Sequence, residues 1–391
     1  MRLTGHCANS HCAGYRRRTC QMLNLSCPQE QLHVSVQTVS HGVSGRSTQP
    51  VQNNIYLEST SSGMRLVATD LEFISLEANI PATVRDQGAV TVPARLLTEV
   101  IGSLAGEEIS LEADDHSTLR VTTARSSFRI RGMSAADFEM LPPIGDAARL
   151  EIPQRDMHSI LSRTVFATSR DETRPILTGA LFKIASGGID VVATDTYRLA
   201  LSNLTVDTTL EDGRSAIISE RALNEVLRII AADSDEPVGM VLSDSQVEFQ
   251  VGAVKVGSRL IEGQFPNYEK VIPDDCDRSV TVDRAEFTNT LRRMLIVARE
   301  DSNRVVLRGS EGTLSITADS QDVGHAEEQI PAKLEGPEPE IAFNARYLLD
   351  ALGALSHDEI VMQLSQPLSP GILKPADADD YTYVIMPMQI M

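Results

Sequence analysis

One pattern runs through this chain three times at a spacing of about 125 residues, and nothing else in the sequence restricts the fold so strongly. Pro28-Gln29, with Leu32 and His33 behind it and Thr48-Gln49-Pro50 further on, is matched by Pro153-Gln154, Met157, His158 and Thr173-Arg174-Pro175. The strand text LVATD ending at Asp70 returns as VVATD ending at Asp195, and more faintly as SITAD ending at Asp319. PARLLTEVIGSL from Pro93 is echoed by SERALNEVLRII from Ser219 and NARYLLDALGAL from Asn344, with Arg95, Arg221 and Arg346 in register. The closing segments also align: FRIRGMSAADFEMLP from Phe128, VKVGSRLIEGQFPNYEKVIP from Val254 and YTYVIMPMQIM from Tyr381. A chain built this way folds as three like units rather than as one large core.

Each unit reads helix, strands, helix, strands. In the second, Met157, Ile160, Leu161, Thr164, Val165 and Thr168 form one helical face. The runs Ala180–Ile184 and Ile189–Ala193 carry the β-branched and alternating character of strands. A second helix is predicted over Glu220–Ile230, with Leu223, Val226, Leu227 and Ile230 on one face and Ser219 as its N-cap. Strands outnumber helices and do not alternate with them one for one, so the class is α+β, two helices packed on antiparallel sheets in each of three domains. The expected divisions are 22–146, 147–274 and 275–391, after an extension over 1–21.

That extension differs in character from the rest. It contains Arg2, Arg16, Arg17 and Arg18 and no acid, and Cys7, Cys12 and Cys20 lie within it. With His6 and His11 these are metal-ligand types, but their spacing fits no paired CxxC zinc pattern. No apolar core of a secretory signal is present; an Arg-rich, acid-free stretch can mimic a transit peptide. The reading adopted is a disordered extension, or one upstream of a working start at Met22. Beyond it only Cys27 and Cys276 remain, too few for a disulfide framework, which points to a reducing cytoplasm. No apolar run approaches the roughly 20 residues of a membrane span.

Charge sets a second limit. With 35 basic and 54 acidic residues the formal net charge is -19, which argues against a protein that coats nucleic acid non-specifically. Catalytic signatures are missing: there is no P-loop, GxGxxG, HExxH or GxSxG, and no cysteine paired with a base. Of the histidines only His33 and His158 recur at matching positions, and the repeated Asp of the VATD strands fits a strand-end structural role. The expectation is a non-enzyme with no metal and no cofactor.

The basic residues have a pattern of their own. Only Lys183, Lys255, Lys270, Lys333 and Lys374 are lysines; the others are arginine. Arg155, Arg163 and Arg170 in the second repeat and Arg284, Arg292 and Arg299 in the third share one spacing. At about 100° per residue each set falls within an arc of about 80°, opposite the Met157/Leu161/Val165 and Phe287/Leu291/Leu295 faces. A solvated helix face with acidic partners would look similar; the recurrence of the stripe in so acidic a chain favours a surface that faces an anion. The first repeat has Glu30, Thr38 and Gly45 at the equivalent places, with His33, His41 and Arg46 nearby.

Taken together, the repeats, ATSRDETRPILTGALFKI, VVATDTYRLA, EGQFPNYEKVIP, IAFNARYLLDALGAL and the terminal YTYVIMPM resemble the bacterial sliding clamps, the beta subunit of the DNA polymerase III holoenzyme, over roughly residues 23 to 391. The resemblance implies a head-to-tail homodimeric ring in which each protomer supplies half, with helices lining a hole around duplex DNA and sheets outside. A heterologous contact whose rotation closes gives such a ring. An ATP-driven clamp loader would close it, and it would then tether DNA polymerase as a non-catalytic processivity subunit. By the same resemblance Arg46 matches a DNA-facing arginine of the first domain, and Arg174 a position near DNA in the second.

The family's partner pocket lies between the second and third domains. It receives a short apolar peptide from the DNA polymerase III alpha subunit, the clamp loader, other polymerases and repair factors. Carried over by motif, it comprises Leu177, Thr194, Tyr197, Arg198, Leu199, Pro266, Lys270, Val271, Leu368, Pro370, Val384, Ile385, Met386, Pro387 and Met388. Met and Pro at a strand end suit an adaptable groove. Two departures bear on peptide preference: the family usually ends in PMRL or PVRL, whereas this chain ends Pro387-Met388-Gln389-Ile390-Met391, and Thr196-Tyr197 stands where a small residue and His are common. At the ring interface Phe128 would face Ile296 and Val297. Arg125, Arg129 or Arg131 would lie opposite Glu327 and Glu328, with exposed pairs contributing at most about 1 kcal/mol each. The competing expectation is an acidic peptide-binding scaffold that never encircles DNA; it shares the pocket and differs at the arginines.

Overall fold

The computed structural model describes residues 22–43, 49–104, 106, 108–145, 148–206 and 213–390. Residues 1–21, and with them the cysteine- and histidine-rich extension, lie outside the described residues, as does Arg46. Among the described residues there are six α-helices, two to a repeat: α1 (Gln29–Ser40), α2 (Ala94–Ser103), α3 (Gln154–Thr164), α4 (Glu220–Ile229), α5 (Arg284–Ala298) and α6 (Ala345–Ala354). Each helix follows directly on a strand, namely Asn24–Pro28, Ala89–Pro93, Ala148–Pro153, Arg214–Ser219, Arg278–Asp283 and Glu340–Asn344. Every repeat is therefore two strand–helix–strands halves. The helix-first order expected from the sequence therefore gains a leading strand in each repeat, which the helical periodicity hides because the strand runs straight into the helix.

The boundary residue explains how the direction changes. In the first three cases it is Pro28, Pro93 or Pro153, whose fixed φ is compatible with extended backbone and whose missing N–H removes a ladder donor. In the last three it is a side-chain cap. Ser219 Oγ accepts from the Ala222 N–H at 3.3 Å, Asp283 Oδ1 from Glu286 at 2.7 Å and Asn344 Oδ1 from Arg346 at 3.0 Å. The repeated Pro-Gln pair gains a reason as well. Gln29 Nε2 donates to the carbonyls of Ile101 and Leu104, both at 3.2 Å, where α2 ends, and Gln154 Oε1 accepts from the Ala231 N–H at 2.9 Å just beyond α4.

By contact the chain divides into two compact units. The first holds the described residues up to Asp70 together with Leu76–Met140, and the second Leu71–Ser75 with Leu141 onward. In the first, an antiparallel sheet runs Thr83–Asp86, Asn24–Pro28, Glu108–Ala113, Thr118–Thr122, Ser127–Arg131, and Gly63–Thr69, Asn54–Thr60 and Ala89–Pro93 are neighbours in another. Leu32, Val36 and Val39 of α1 and Leu97, Val100 and Ile101 of α2 are buried.

The second unit contains the other two repeats, and one sheet explains why they cohere. Arg214–Ser219, Gly179–Ala185, Gly188–Thr194 and Arg198–Thr205 of the second repeat continue into Tyr381–Ile385, Gly371–Pro375, Glu359–Leu364, Arg278–Asp283 and Lys333–Glu335 of the third. The seam pairs Arg198 with Ile385, Ala200 with Tyr383 and Ser202 with Tyr381. A further sheet orders Gly324–Pro331, Thr313–Ser320, Arg304–Ser310 and Glu340–Asn344. On α3 the residues Met157, Ile160, Leu161 and Thr164 are buried, and on α5 Phe287, Leu291, Met294 and Leu295. Each such aliphatic or aromatic side chain contributes about 1.5–3 kcal/mol on burial. Helices and antiparallel sheets occupy separate layers, the α+β arrangement that the sequence pattern required.

The helical face read over Met157–Thr168 is interrupted. Helix α3 stops at Thr164, and Val165–Ala167 form a 3-10 turn. Val165 and Thr168 are still buried, but by a tighter turn and an extended segment rather than by continued helix.

Candidate partner pocket and arginine surface

The wall of the candidate pocket is a turn written into Thr194–Arg198. Thr194 Oγ1 donates to the Arg198 carbonyl at 2.7 Å and accepts from the Thr196 N–H at 3.1 Å. Asp195 Oδ1 accepts from the N–H groups of Tyr197 and Arg198 at 2.9 and 3.0 Å, so this VATD aspartate acts as a strand-end clasp. The turn closes only with Thr196 in the left-handed region, φ +79°; Leu71, its counterpart one repeat earlier, has φ +69°. In consequence Tyr197 points outward, 60% exposed. The chain's end passes alongside: Met386 N–H donates to the Tyr197 carbonyl at 2.9 Å and Met388 N–H to the Ala342 carbonyl at 2.8 Å. Arg304 Nη1 holds the Gln389 carbonyl at 3.3 Å.

The fifteen positions carried over by motif fall into distinct groups. Lys270, Val271, Pro370 and Met386 line one cavity of about 470 Å³, beside Ile272 and Pro273. Leu368 is 68% exposed, and Pro387 and Met388 are half-buried. Leu177, Thr194, Leu199, Val384 and Ile385 are buried and form a floor. Leu199 and Val384 belong to a cluster with Leu181, Val192, Ile217 and Ile372 that spans both repeats. Pro266 lines a neighbouring cavity of about 700 Å³ with Phe265, Tyr268 and Lys183. There the Lys183 ammonium donates to Tyr268 Oη at 3.0 Å and Glu269 Oε1 at 2.9 Å, and these partners raise its pKa.

Arg198 behaves differently from its expected place among the pocket residues. Its Nε donates to Asp195 Oδ2 at 3.1 Å, Nη1 to Asp350 Oδ2 at 2.5 Å and Nη2 to the Phe166 carbonyl at 3.0 Å. The guanidinium also lies 4.4 Å from the Tyr347 ring centroid and 5.4 Å from that of Phe166. Its planar fork is thus used within the chain, and the side chain is only 10% exposed. Phe166, Tyr347 and Asp350 are the residues that sequence reasoning missed, and no local pattern marks them.

The arginine stripes are corrected in part. Arg163 does not face solvent: Nη1 meets Asp380 Oδ2 at 2.6 Å and the side chain is 12% exposed. Arg284 Nε donates to the His357 carbonyl at 2.7 Å. Arg155 is paired with Asp235 at 2.5 Å and with Asp156 at 3.5 Å. Arg170 lies beyond the end of α3, so the 100° spacing does not apply to it. Arg170, Arg292 and Arg299 are exposed with no carboxylate partner among the described residues. Arg174 Nε sits 2.9 Å from Asp171.

The expected interface residues stand on two sheet edges and at the end of one helix. Phe128, 37% exposed, lies with Arg129 and Arg131 on the edge strand Ser127–Arg131 of the first unit. In the second unit Ile296 is 66% exposed and Val297 half-buried at the end of α5, while Glu327 and Glu328 lie on the edge strand Gly324–Pro331. Glu327 accepts from Ser315 Oγ at 3.1 Å. Glu328 is already occupied: it accepts from Arg293 and from Thr290 Oγ1 at 2.8 Å, and the Arg293 bond pulls its pKa down. Within the chain, then, Glu328 is paired with Arg293. Among the described residues no group of three or more His, Cys, Asp or Glu side chains is disposed to hold a metal ion, and no helix is long and apolar enough to cross a membrane.

Three family models match in succession: the DNA polymerase III beta subunit N-terminal domain over residues 23–142, its central domain over 151–267 and its C-terminal domain over 269–389. The beta sliding clamp of Synechocystis is 32% identical, covering 94% of this chain and 100% of the relative. The beta sliding clamp of Staphylococcus aureus is 29% identical, covering 89% and 94%. The crystal structure of the DNA polymerase sliding clamp from Bacillus subtilis superposes with a TM-score of 0.90 at 28% identity, over 94% of this chain and all of that one. The Pseudomonas aeruginosa sliding clamp bound to griselimycin gives 0.89 at 30% identity with the same coverage.

Proposed function

Because the chain belongs to the DNA polymerase III beta-subunit family, the bacterial sliding clamps, we propose that it serves DNA replication as a cytoplasmic, non-catalytic processivity factor. Two copies join head to tail into a ring around duplex DNA, and the pocket beside Tyr197 and Met386 tethers the DNA polymerase III alpha subunit, the clamp loader, and other polymerases and repair factors. The observation that carries this reading is the presence of two open sheet edges of opposite character. Ser127–Arg131 presents Phe128 with Arg129 and Arg131, and Gly324–Pro331 presents Glu327 with Ile296 on the helix packed beside it. An unpaired edge is a template for another strand, and a heterologous contact of this kind closes into a ring when its rotation permits.

The arginines suit topological holding. Arg170, Arg292 and Arg299, joined by Arg46 and Arg174 on family grounds, contact phosphates without reading bases. Few cations in a chain of net charge -19 hold DNA loosely enough to slide, and the acidity discourages sideways adhesion. Loading onto nicked circular DNA tests the reading: the protein should remain on circles through gel filtration and leave after linearisation. Retention that ignores linearisation, or an acidic scaffold that never loads, would sink it. For the pocket, titration calorimetry with griselimycin should give one saturable site per protomer; a chain that takes up none lacks the proposed pocket.

A further inference from the structure

We infer that Arg163 and Asp380 are positioning residues of the partner pocket, locking the last strand to the second repeat so that Tyr197, Met386 and the buried floor keep one alignment. This rests on the pocket proposed above. Helical spacing alone puts Arg163 on an outward stripe; its guanidinium instead lies 2.6 Å from Asp380 Oδ2. Asp380 is the residue immediately before the strand Tyr381–Ile385, and its backbone is held from the other side. The Asp380 carbonyl accepts from the Asn203 N–H at 2.9 Å and from Ser202 Oγ at 3.2 Å. One residue therefore ties α3, the strand Arg198–Thr205 and the start of the last strand.

The middle of that strand is held by a second fastening. Tyr383 Oη donates to the Tyr347 carbonyl at 2.9 Å, and Tyr347 forms the face over which Arg198 lies. Arg198 in turn binds Asp195 of the pocket turn and Asp350 of α6. Between the two fastenings lie Tyr381, fully buried with its hydroxyl unpartnered, and the half-buried Thr382. Backbone ladders to Arg198–Thr205 on one side and Gly371–Pro375 on the other set its register, and the two fastenings hold that register at the strand's start and middle. Two acids of the loop before it have their own cations: Lys374 lies 2.9 Å from Asp379 and Arg163 2.6 Å from Asp380. Removal of Arg163 leaves Asp380 without its counter-ion, while Asp379 keeps Lys374. Because Val384 and Ile385 lie on the same strand and Met386 follows it directly, a slackened start is felt in the pocket.

The test uses the full chain, with griselimycin as the probe. Arg163→Gln, Asp380→Asn and the double variant are compared with the parent by calorimetry, at a temperature chosen by circular dichroism so that every variant compared is folded. Each single variant should weaken binding by about five- to tenfold, and the double variant should be no worse than either, since the two groups act as one. Arg228→Gln on α4, which loses an exposed pair with Glu225, should bind as the parent does. A second readout needs no ligand: amide exchange in Tyr381–Ile385 should speed up by about tenfold in Arg163→Gln and stay unchanged in Thr313–Ser320. Parental affinity in both single variants, or additive losses in the double, overturns the inference, as does a lowered melting temperature with affinity and exchange intact. If the parent itself does not bind, the pocket reading fails, and exchange alone still decides whether the pair holds the strand.

Discussion

The sharpest prediction concerns Thr196, whose φ of +79° places a β-branched residue where glycine is at ease. The left-handed region costs a non-glycine residue about 1–2 kcal/mol. Glycine's extra freedom in the unfolded chain offsets about 0.5–1 kcal/mol of that. The Thr196 side chain is exposed, so its removal forfeits little packing, and the N–H bond to Thr194 Oγ1 at 3.1 Å belongs to the backbone and survives. Thr196→Gly should therefore stabilise the turn by about 0.5–1 kcal/mol. A chain of several cooperative units has no single unfolding energy, so the assay is amide exchange at Tyr197 and Arg198, whose N–H groups Asp195 holds. Exchange there should slow by about two- to fivefold. Thr196→Ala keeps the Cβ and should gain far less, whereas Thr196→Asn should fall between. Equal gains from Ala and Gly, or faster exchange in the glycine variant, would show that the threonine is not strained.

Other outcomes follow from the same geometry. Burial first, and then the charge of Glu108, push the Cys27 thiol up to about 12, whereas Cys276 is half-buried. A thiol reagent at pH 7.5 followed by peptide mapping should label Cys276 well before Cys27 in the native protein, and both at similar rates in urea. His325 donates to or accepts from Asp319 at 2.6 Å, and that bond raises its pKa. The pair's contribution is therefore complete below the unfolded value of about 6.5 and fades as pH rises through the higher folded one; an NMR titration should place the His325 midpoint above that of Asp319→Asn. Replacing Arg292 and Arg299 together by Gln should lower the slope of log affinity against log salt for duplex DNA by about 1 for each phosphate deprived of its arginine, while a slope identical to the parent's would remove both from the DNA surface.

How far the sequence reached can be judged residue by residue. The 125-residue pattern, the α+β class, the strands at Gly179–Ala185 and Gly188–Thr194, α4 and its Ser219 cap were legible because each rests on neighbours within a turn or a strand pair. The leading strand of each half was not, because five or six residues that merge into a helix leave no separate period. The pocket residues came through family likeness alone; the sequence contained no means of separating the exposed Tyr197 and Leu368 from the buried Leu199 and Val384.

By itself, then, the sequence determined that this protein is three like units of two helices on antiparallel sheets, acidic overall and without catalytic signatures. Only the tertiary structure decided what individual arginines do. Arg163 and Asp380 stand 217 positions apart in the chain, and Arg198 and Asp350 152 apart. A helical spacing fixes the direction of a side chain relative to its own axis, but which acid waits there depends on how two repeats pack, and a guanidinium offered a carboxylate at low exposure binds it in preference to water.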